Sequence, residues 1–473
     1  MKRYILSAML VATAGTMMAQ DLNSAYFTDD FKFRHDMNPA YGNAQSYVSI
    51  PALGNLNIST MGNFGLESIL YENKWNEDGK NRKTTTFMNP NISSTEALSN
   101  FSSGNNELLS NIRLTILSAG FKAFGGYNTI ELNSKTNLGI SLPYGLFAFA
   151  KNIGNETYDI GGLGFSAQSY AELAFGHSRD INEKLRVGAK VKLLFGIARA
   201  DLNMEGLTAD LTGNEWTISG QAKAEVMMKG FKFQSEREEY DSRPGEYYNK
   251  VTDIDVDGVG LGGFGLAFDL GGIYKINDDI TVSAAINDLG FISWSDYALA
   301  QSSGMPFHFK GFNGGFDKNG NPNGLGMNAD DHPIDDDLDF YGDQLADFAN
   351  LEDQGEQGGA TKGIGATINL GGEYTLPMYR QVSFGLLSST RLNGSYTWTE
   401  ARLSANYRPL KWIDGGINFA VGTYRASFVW NLNIHPKGFN FFVGMDHLLG
   451  KTSKEMIPLS SNANVALGMS ITW

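Results

Sequence analysis

A few stretches of this 473-residue chain have residue types and spacing that suit chemistry, and each lacks a part that the chemistry needs. Gly258-Val259-Gly260-Leu261-Gly262-Gly263 fits the pattern G-x-G-x-x-G. A dinucleotide site needs a strand before such glycines and a helix after them, so that backbone N–H groups face the pyrophosphate. Here strand-type alternation follows instead, through Phe268 and Ile273. Asp253-Ile254-Asp255-Val256-Asp257-Gly258 opens like a calcium loop, but its twelfth position is Phe264, where a bidentate carboxylate should close the shell. Asn319-Gly320-Asn321-Pro322-Asn323-Gly324, with Asp330 in twelfth place and Asp317 just before, is a second partial match and a loose divalent-cation candidate. His35, His177, His308, His332, His435 and His447 show no H-x-x-x-H spacing, and there is no cysteine and no G-x-S-x-G. No nucleophile comes with a base, so neither an enzyme nor a cofactor is expected.

The elements around these residues read as strands. Val465, Leu467, Met469, Ile471 and Trp473 alternate with Asn464, Ala466, Gly468, Ser470 and Thr472. Ten residues of extended chain with one apolar face are enough to cross a bilayer at a tilt. Trp473 at the end of that strand resembles the terminal aromatic of outer-membrane proteins generally, which implies a signal read by barrel-insertion machinery. Lys2-Arg3, the apolar run Tyr4 to Ala14 and Met17-Met18-Ala19 form a secretory signal peptide over 1–19, with cleavage expected near Ala19-Gln20. No later stretch approaches about 18 consecutive apolar residues. The chain is 12% aromatic with 56 Gly and 20 Tyr, which suits many strands and turns. Its net charge of -14 argues against a nucleic-acid partner.

Residues 20–43 are aromatic-rich without alternation and contain Asn38-Pro39-Ala40-Tyr41, where Pro39 interrupts any ladder. This predicts an irregular plug or hatch segment, followed by a barrel over 44–473. Thr84 to Asn106 reads as a long polar loop, and Pro143 to Ile153 as a short helix. Tyr170–Ser178 and Leu185–Ile197 form a hairpin around Asp180-Ile181-Asn182-Glu183. Glu215–Val226 repeats the alternation, and its phase flips at Met227-Met228-Lys229-Gly230, through a bulge or a tight turn. Phe264–Ile276 and Ile280–Trp294 make another hairpin, and seven strands follow from Gly363. Between Asn313 and Gly358 stand twelve Asp/Glu and one Lys, predicting a solvated or disordered surface loop over 313–358. The fold class is all-β: a transmembrane antiparallel barrel of about 14 strands, within a range of 12–16.

The period of two fixes which charges face the lumen. Leu185, Val187, Val191, Leu193 and Phe195 take one face of their strand, and Arg186, Lys190 and Lys192 the other. A charge facing mid-membrane lipid costs about 2–4 kcal/mol, so the charged face turns inward. With the hairpin at 180–183, a ladder Glu172–Lys190/Lys192–Glu225 is expected across three neighbouring strands.

Five runs carry a resemblance: Tyr158–Phe165, Tyr170–Ile181, Leu185–Gly196, Phe268–Lys275 and Asn287–Trp294. They resemble an uncharacterised outer-membrane barrel family of Bacteroidota, and the Asn38-Pro39-Ala40 turn is similar to one in FadL-like channels and PorV/PorP-type barrels. The resemblance implies a barrel of about fourteen strands with an N-terminal plug in a Gram-negative outer membrane. It also implies an apolar or amphipathic small molecule bound or passed through the lumen, or alternatively a non-transporting barrel that serves as a secretion or surface-protein attachment partner. Partners would be outer-membrane lipid and the insertion machinery.

Overall fold

The computed structural model describes residues 21–75, 83–213, 215–258, 260–310, 333–424, 426–447 and 462–473, with helix side chains before residue 340 left out. The expected signal peptide lies outside the described residues, as do Asp317, Asn319, Asn321 and Asp330.

Alternation and turn chemistry build the wall. Its strands are β1 (Asn55–Gly62, preceded by the short Tyr47–Ser49), β2 (Asn105–Ala123), β3 (Gly126–Pro143), β4 (Leu163–Asp180) and β5 (Leu185–Asp210). Then come β6 (Gly263–Lys275), β7 (Ile280–Trp294), β8 (Ala366–Thr375), β9 (Val382–Leu392) and β10 (Trp398–Leu410). The last four are β11 (Ile413–Gly422), β12 (Ala426–Ile434), β13 (Phe439–Gly444) and β14 (Ala463–Thr472). Each pairs antiparallel with the next, and β14 returns to β1 with Leu56 opposite Leu467, closing a 14-stranded barrel. Closure leaves the wall no free edge.

One face of this wall is apolar and exposed. Leu266, Phe268 and Leu270 on β6, Leu289 and Phe291 on β7, Leu386, Leu403, Phe419 and Phe428 all stand open on the outside. So wide an apolar band has no counterpart on a water-soluble monomer. The inner face is polar and buried, with Asn133, Asp269, Asn369, Asn418, Asn433 and Ser470.

The two rims differ. Tight turns join β2–β3, β4–β5, β6–β7, β8–β9, β10–β11 and β12–β13, and Trp473 lies at that same rim. The long connections emerge at the other. There β5 does double duty: Leu185–Gly196 pairs with β6, whereas Ala198–Asp210 pairs with the strand Trp216–Met228. That strand continues to Ala298–Ser302, then Leu351–Glu356, then the hairpin Phe231–Tyr240/Arg243–Val256. The wall thus extends beyond the barrel as a second sheet.

Two expectations are corrected. The 313–358 stretch is not simply solvated loop: it contains the helix Pro333–Ala349 and the strand Leu351–Glu356. Within that helix Asp347 is buried, accepting from the backbone N–H groups of Asp241 (3.2 Å) and Ser242 (2.8 Å). Thr84–Asn106 folds over the loop rim, where Phe87, Ile92, Ala97 and Phe101 pack with Phe64 and Phe147, the last from the helix Tyr144–Lys151. Of the two alternatives for the phase break at 227–230, the structure has the tight turn, with Gly230 at φ +73.

Candidate functional site

Residues 21–43 pack against the inner wall, and their groups are held from nearly every side. Asp446 takes the backbone N–H groups of Asn23 (2.6 Å) and Ser24 (2.7 Å). Asn418 and Asn431 donate to the Ser24 carbonyl, while Asn287 and Asn369 donate to that of Met37. Tyr26, Phe27, Phe31, Phe33 and Met37 form one buried cluster with Tyr47, Tyr127 and Phe442. Behind Asn38-Pro39-Ala40 there is therefore packed aromatic matter and wall.

The Asn38-Pro39-Ala40-Tyr41 turn lies in a notch made by two glycines. Gly188 of β5 and Gly271 of β6 are register partners. A Cβ at Gly188 would run into the Pro39 carbonyl, and one at Gly271 into the Asn38 side chain. Glycine inside a strand marks such close approach. Asn38 Nδ2 reaches the Gly272 carbonyl (3.3 Å) and the Ala284 carbonyl (3.4 Å), and its Oδ1 accepts from Ala40 N–H at 3.0 Å. Arg186 donates to the Ala40 carbonyl at 2.8 Å and meets Asp180 at 3.0 Å. Tyr41 lies under the Arg34 guanidinium, 3.8 Å from its ring centroid.

Two of the buried charge clusters along the wall centre on lysines of β5. In the first, Lys190 Nζ sits among His35 Nδ1 (2.9 Å), Asp36 (2.7 Å) and Glu131 (2.6 Å). Arg113 adds a bond to Asp36 at 2.7 Å. Burial works against charge on Asp36, but Arg113, Lys190 and His35 prevail and hold its carboxyl well below the usual range. In the second, Lys192 meets Asp269 (2.7 Å) and Asp288 (2.6 Å), and Lys135 meets Glu172 (2.9 Å) and Asp288 (3.1 Å).

Asp288 reaches this cluster through an irregularity. The β6–β7 register shifts between Phe268 and Leu270, and Asp288 adopts φ +58, with its N–H on Asp269 Oδ1 at 2.7 Å. A bulge of this sort re-aims a side chain, and Asp tolerates the left-handed region better than most residues.

The expected three-strand ladder does not form. Lys190, Lys192 and Glu172 are buried on the inner side, but Glu172 lies opposite Leu194 and Lys190 opposite Gly176. The reason is register: Asp180 pairs with Arg186, carrying the hairpin ladder beyond the assumed turn. Glu225 is displaced further, because its strand joins the loop-side half of β5. It faces Asp201 and bonds Tyr297 (2.6 Å) and Lys362 (3.4 Å). Trp473 is exposed, with its N–H on the Ser46 carbonyl at 3.1 Å.

Cavities flank the 21–43 segment. On the loop side one of about 490 Å³ is lined by Asn111, Asn137, Gln168, Arg199 and Asp201, with Leu109, Leu138, Tyr396 and Trp398 beside them. At the turn-side mouth one of about 1080 Å³ is bordered by Asp29, Asp30, Arg34, Tyr41, Arg186 and Arg408. Between them, a gap of about 50 Å³ touches Asp21, Arg113, Lys135 and Asp288.

The wall and its lining define a closed antiparallel β-barrel with an apolar exterior and a charged, occupied interior. Residues 39–446 match the model of a family of unknown function (DUF5723), and the chain belongs to that family. No curated protein matches it. Among solved structures it is similar to the Pseudomonas putida toluene transporter TodX, at 9% identity over 97% of this chain and 94% of that one, TM-score 0.38. It is also similar to a Pseudomonas aeruginosa FadL homologue, at 10% identity over 97% and 99%, TM-score 0.38. A third is the translocator domain of the autotransporter NalP from Neisseria meningitidis, at 8% identity over 96% and 98%, TM-score 0.33.

Proposed function

We propose that the protein is an outer-membrane channel of a Gram-negative bacterium in which residues 20–43 plug the lumen and an amphipathic small molecule is bound and passed. The carrying observation is the cavity of about 490 Å³ on the loop side, which combines amides and charges with Leu109, Leu138, Tyr396 and Trp398. That mixture suits a molecule with both a polar head and an apolar body. The path from there to the turn-side mouth is interrupted by the 21–43 segment and the charge clusters that hold it. Local release of the segment would join the cavities. The exposed apolar band supports a lipid environment. Conductance in planar bilayers tests the reading. The intact chain should conduct little and a variant lacking 21–43 should conduct steadily; equal conductance would sink it.

A second reading, a barrel that holds a surface protein, is favoured by the loop-side sheet and the helix Pro333–Ala349. Deleting the 231–256 hairpin should then abolish retention of that protein while leaving conductance intact.

A further inference from the structure

The turn-side rim holds a group of side chains that the channel reading does not use. Asp414 begins the inward face of β11, and His435 follows β12 with the parity of inward Asn433. Asp30 comes from the 21–43 segment. His435 Nε2 lies 3.4 Å from Asp414 Oδ2 and 3.9 Å from Asp30 Oδ2, and the three ligand atoms lie within 4.8 Å of one another. A tetrahedral ion about 2.0–2.2 Å from each ligand separates ligand atoms by roughly 3.3–3.5 Å, so the spacing needs only a small shift of Asp30.

The imidazole gives a second indication. The His435 side chain is 5% exposed and the Asp414 side chain 5%. Neither His435 Nε2 nor Asp414 Oδ1 has a hydrogen-bond partner among the described residues. A buried polar atom without a partner is costly, and a nitrogen aimed at two carboxylates is the arrangement a cation resolves.

The comparable trio His35, Asp36 and Glu131 shows the alternative solution, because there the Lys190 ammonium sits among all three. At the rim no ammonium among the described residues takes that place. Lys32 is fully buried in the field of Asp30 and Asp414, yet its Nζ makes no hydrogen bond among the described residues. Arg408 reaches Asp30 only at 3.5 Å and is committed to Asp29 at 2.6 Å. The Asp30 N–H donates to Asp414 Oδ2 at 3.4 Å, leaving other lone pairs open. Asp30 also borders the mouth cavity, which offers an entry path and room for a water ligand.

We infer that Asp30, Asp414 and His435 form a binding site for a divalent transition cation of the zinc type, which fastens the 21–43 segment to the turn-side rim. One imidazole and two carboxylates suit zinc better than magnesium, which prefers oxygen ligands and keeps its water. The ion bridges segment and wall, so its loss loosens the segment there.

Metal-stripped full-length protein in detergent is titrated with Zn²⁺ and, in parallel, Mg²⁺ by calorimetry. Co²⁺ absorption reports the ligand geometry. One equivalent of zinc should bind and magnesium should not. Asp414→Asn and His435→Gln should each weaken zinc binding at least about 100-fold. Zinc should slow proteolysis of residues 21–43 in the parent and not in the variants. Heat-modifiable mobility confirms that each variant is folded, and if His435→Gln does not fold, the isosteric Asp414→Asn carries the comparison. No zinc uptake by the parent, or equal uptake by a folded variant, overturns the site.

Discussion

Asp288 links the second charge cluster, and its backbone and its carboxylate make separable contributions. Asp288→Asn keeps a residue that tolerates φ +58 while removing the charge shared by Lys135 and Lys192. Glu172 and Asp269 still satisfy those lysines, so the loss should be about 1–3 kcal/mol. Asp288→Ala adds backbone strain and should be worse. Denaturant unfolding in detergent checks the order; an Ala variant as stable as the Asn variant would deny the backbone a role. Asp36 gives a pH expectation. Its folded pKa is depressed, so its contribution is complete above the ordinary value of 3.8 and is lost as pH falls through the lower folded value. Amide exchange over 21–43 should therefore stay slow at about pH 4 and rise only below it. A rise already at about pH 5 would mean that Asp36 is not what anchors the segment. The lysines on β5 were legible from parity alone. Their partners were not, because Asp269 and Asp288 owe their direction to a register shift that alternation cannot show.

Among elements, strands and tight turns follow directly from the residues. The Asn277-Asp278-Asp279 turn and the hairpin turn at 181–184, one residue beyond the expected 180–183, stand where polar turn residues interrupt alternation. Three features escaped. Alternation tells a strand which faces it has, not which neighbours, so the 26 residues of β5 gave no sign of serving two sheets. The helix Pro333–Ala349 was hidden by acidic composition, which reads as solvation. The glycine notch was also silent, since Gly188 and Gly271 are distant in sequence and meet only by register. Gly188→Val and Gly271→Val should each unseat the Asn38-Pro39-Ala40 turn while leaving the strands formed. Limited proteolysis should then cut within 21–43, with barrel heat-modifiability unchanged. Full protection in both variants would show that the turn does not depend on the notch.

For the whole molecule, the asymmetry of the rims sets an orientation. Short turns on one side and long connections on the other match barrels whose loops face outward. The chain has no cysteine, so single thiols are clean reporters. Glu246→Cys on the loop side and Glu183→Cys on the turn side both replace exposed residues. A membrane-impermeant maleimide added to intact cells should label the first and spare the second. The reverse pattern would invert the barrel. That a barrel exists was plain from ten-residue alternations such as Val465 to Trp473; that its lumen is filled with ionic bonds was not, since these join residues such as Arg113 and Asp36 that only closure brings together.

The seating of the first described residues has a consequence in time. Asn23 and Ser24 bond to Asp446, across sequence separations of 423 and 422, and Ser24 is also held by Asn431 and Asn418. This segment is made early, and several of its partners are among the last residues to be made. Its aromatic residues must therefore wait, unburied, until the final strands arrive. Assembly should run in a fixed sequence, with the wall complete before its beginning is tucked inside. The interval between those two events is when the chain is most open to holding factors and to proteases.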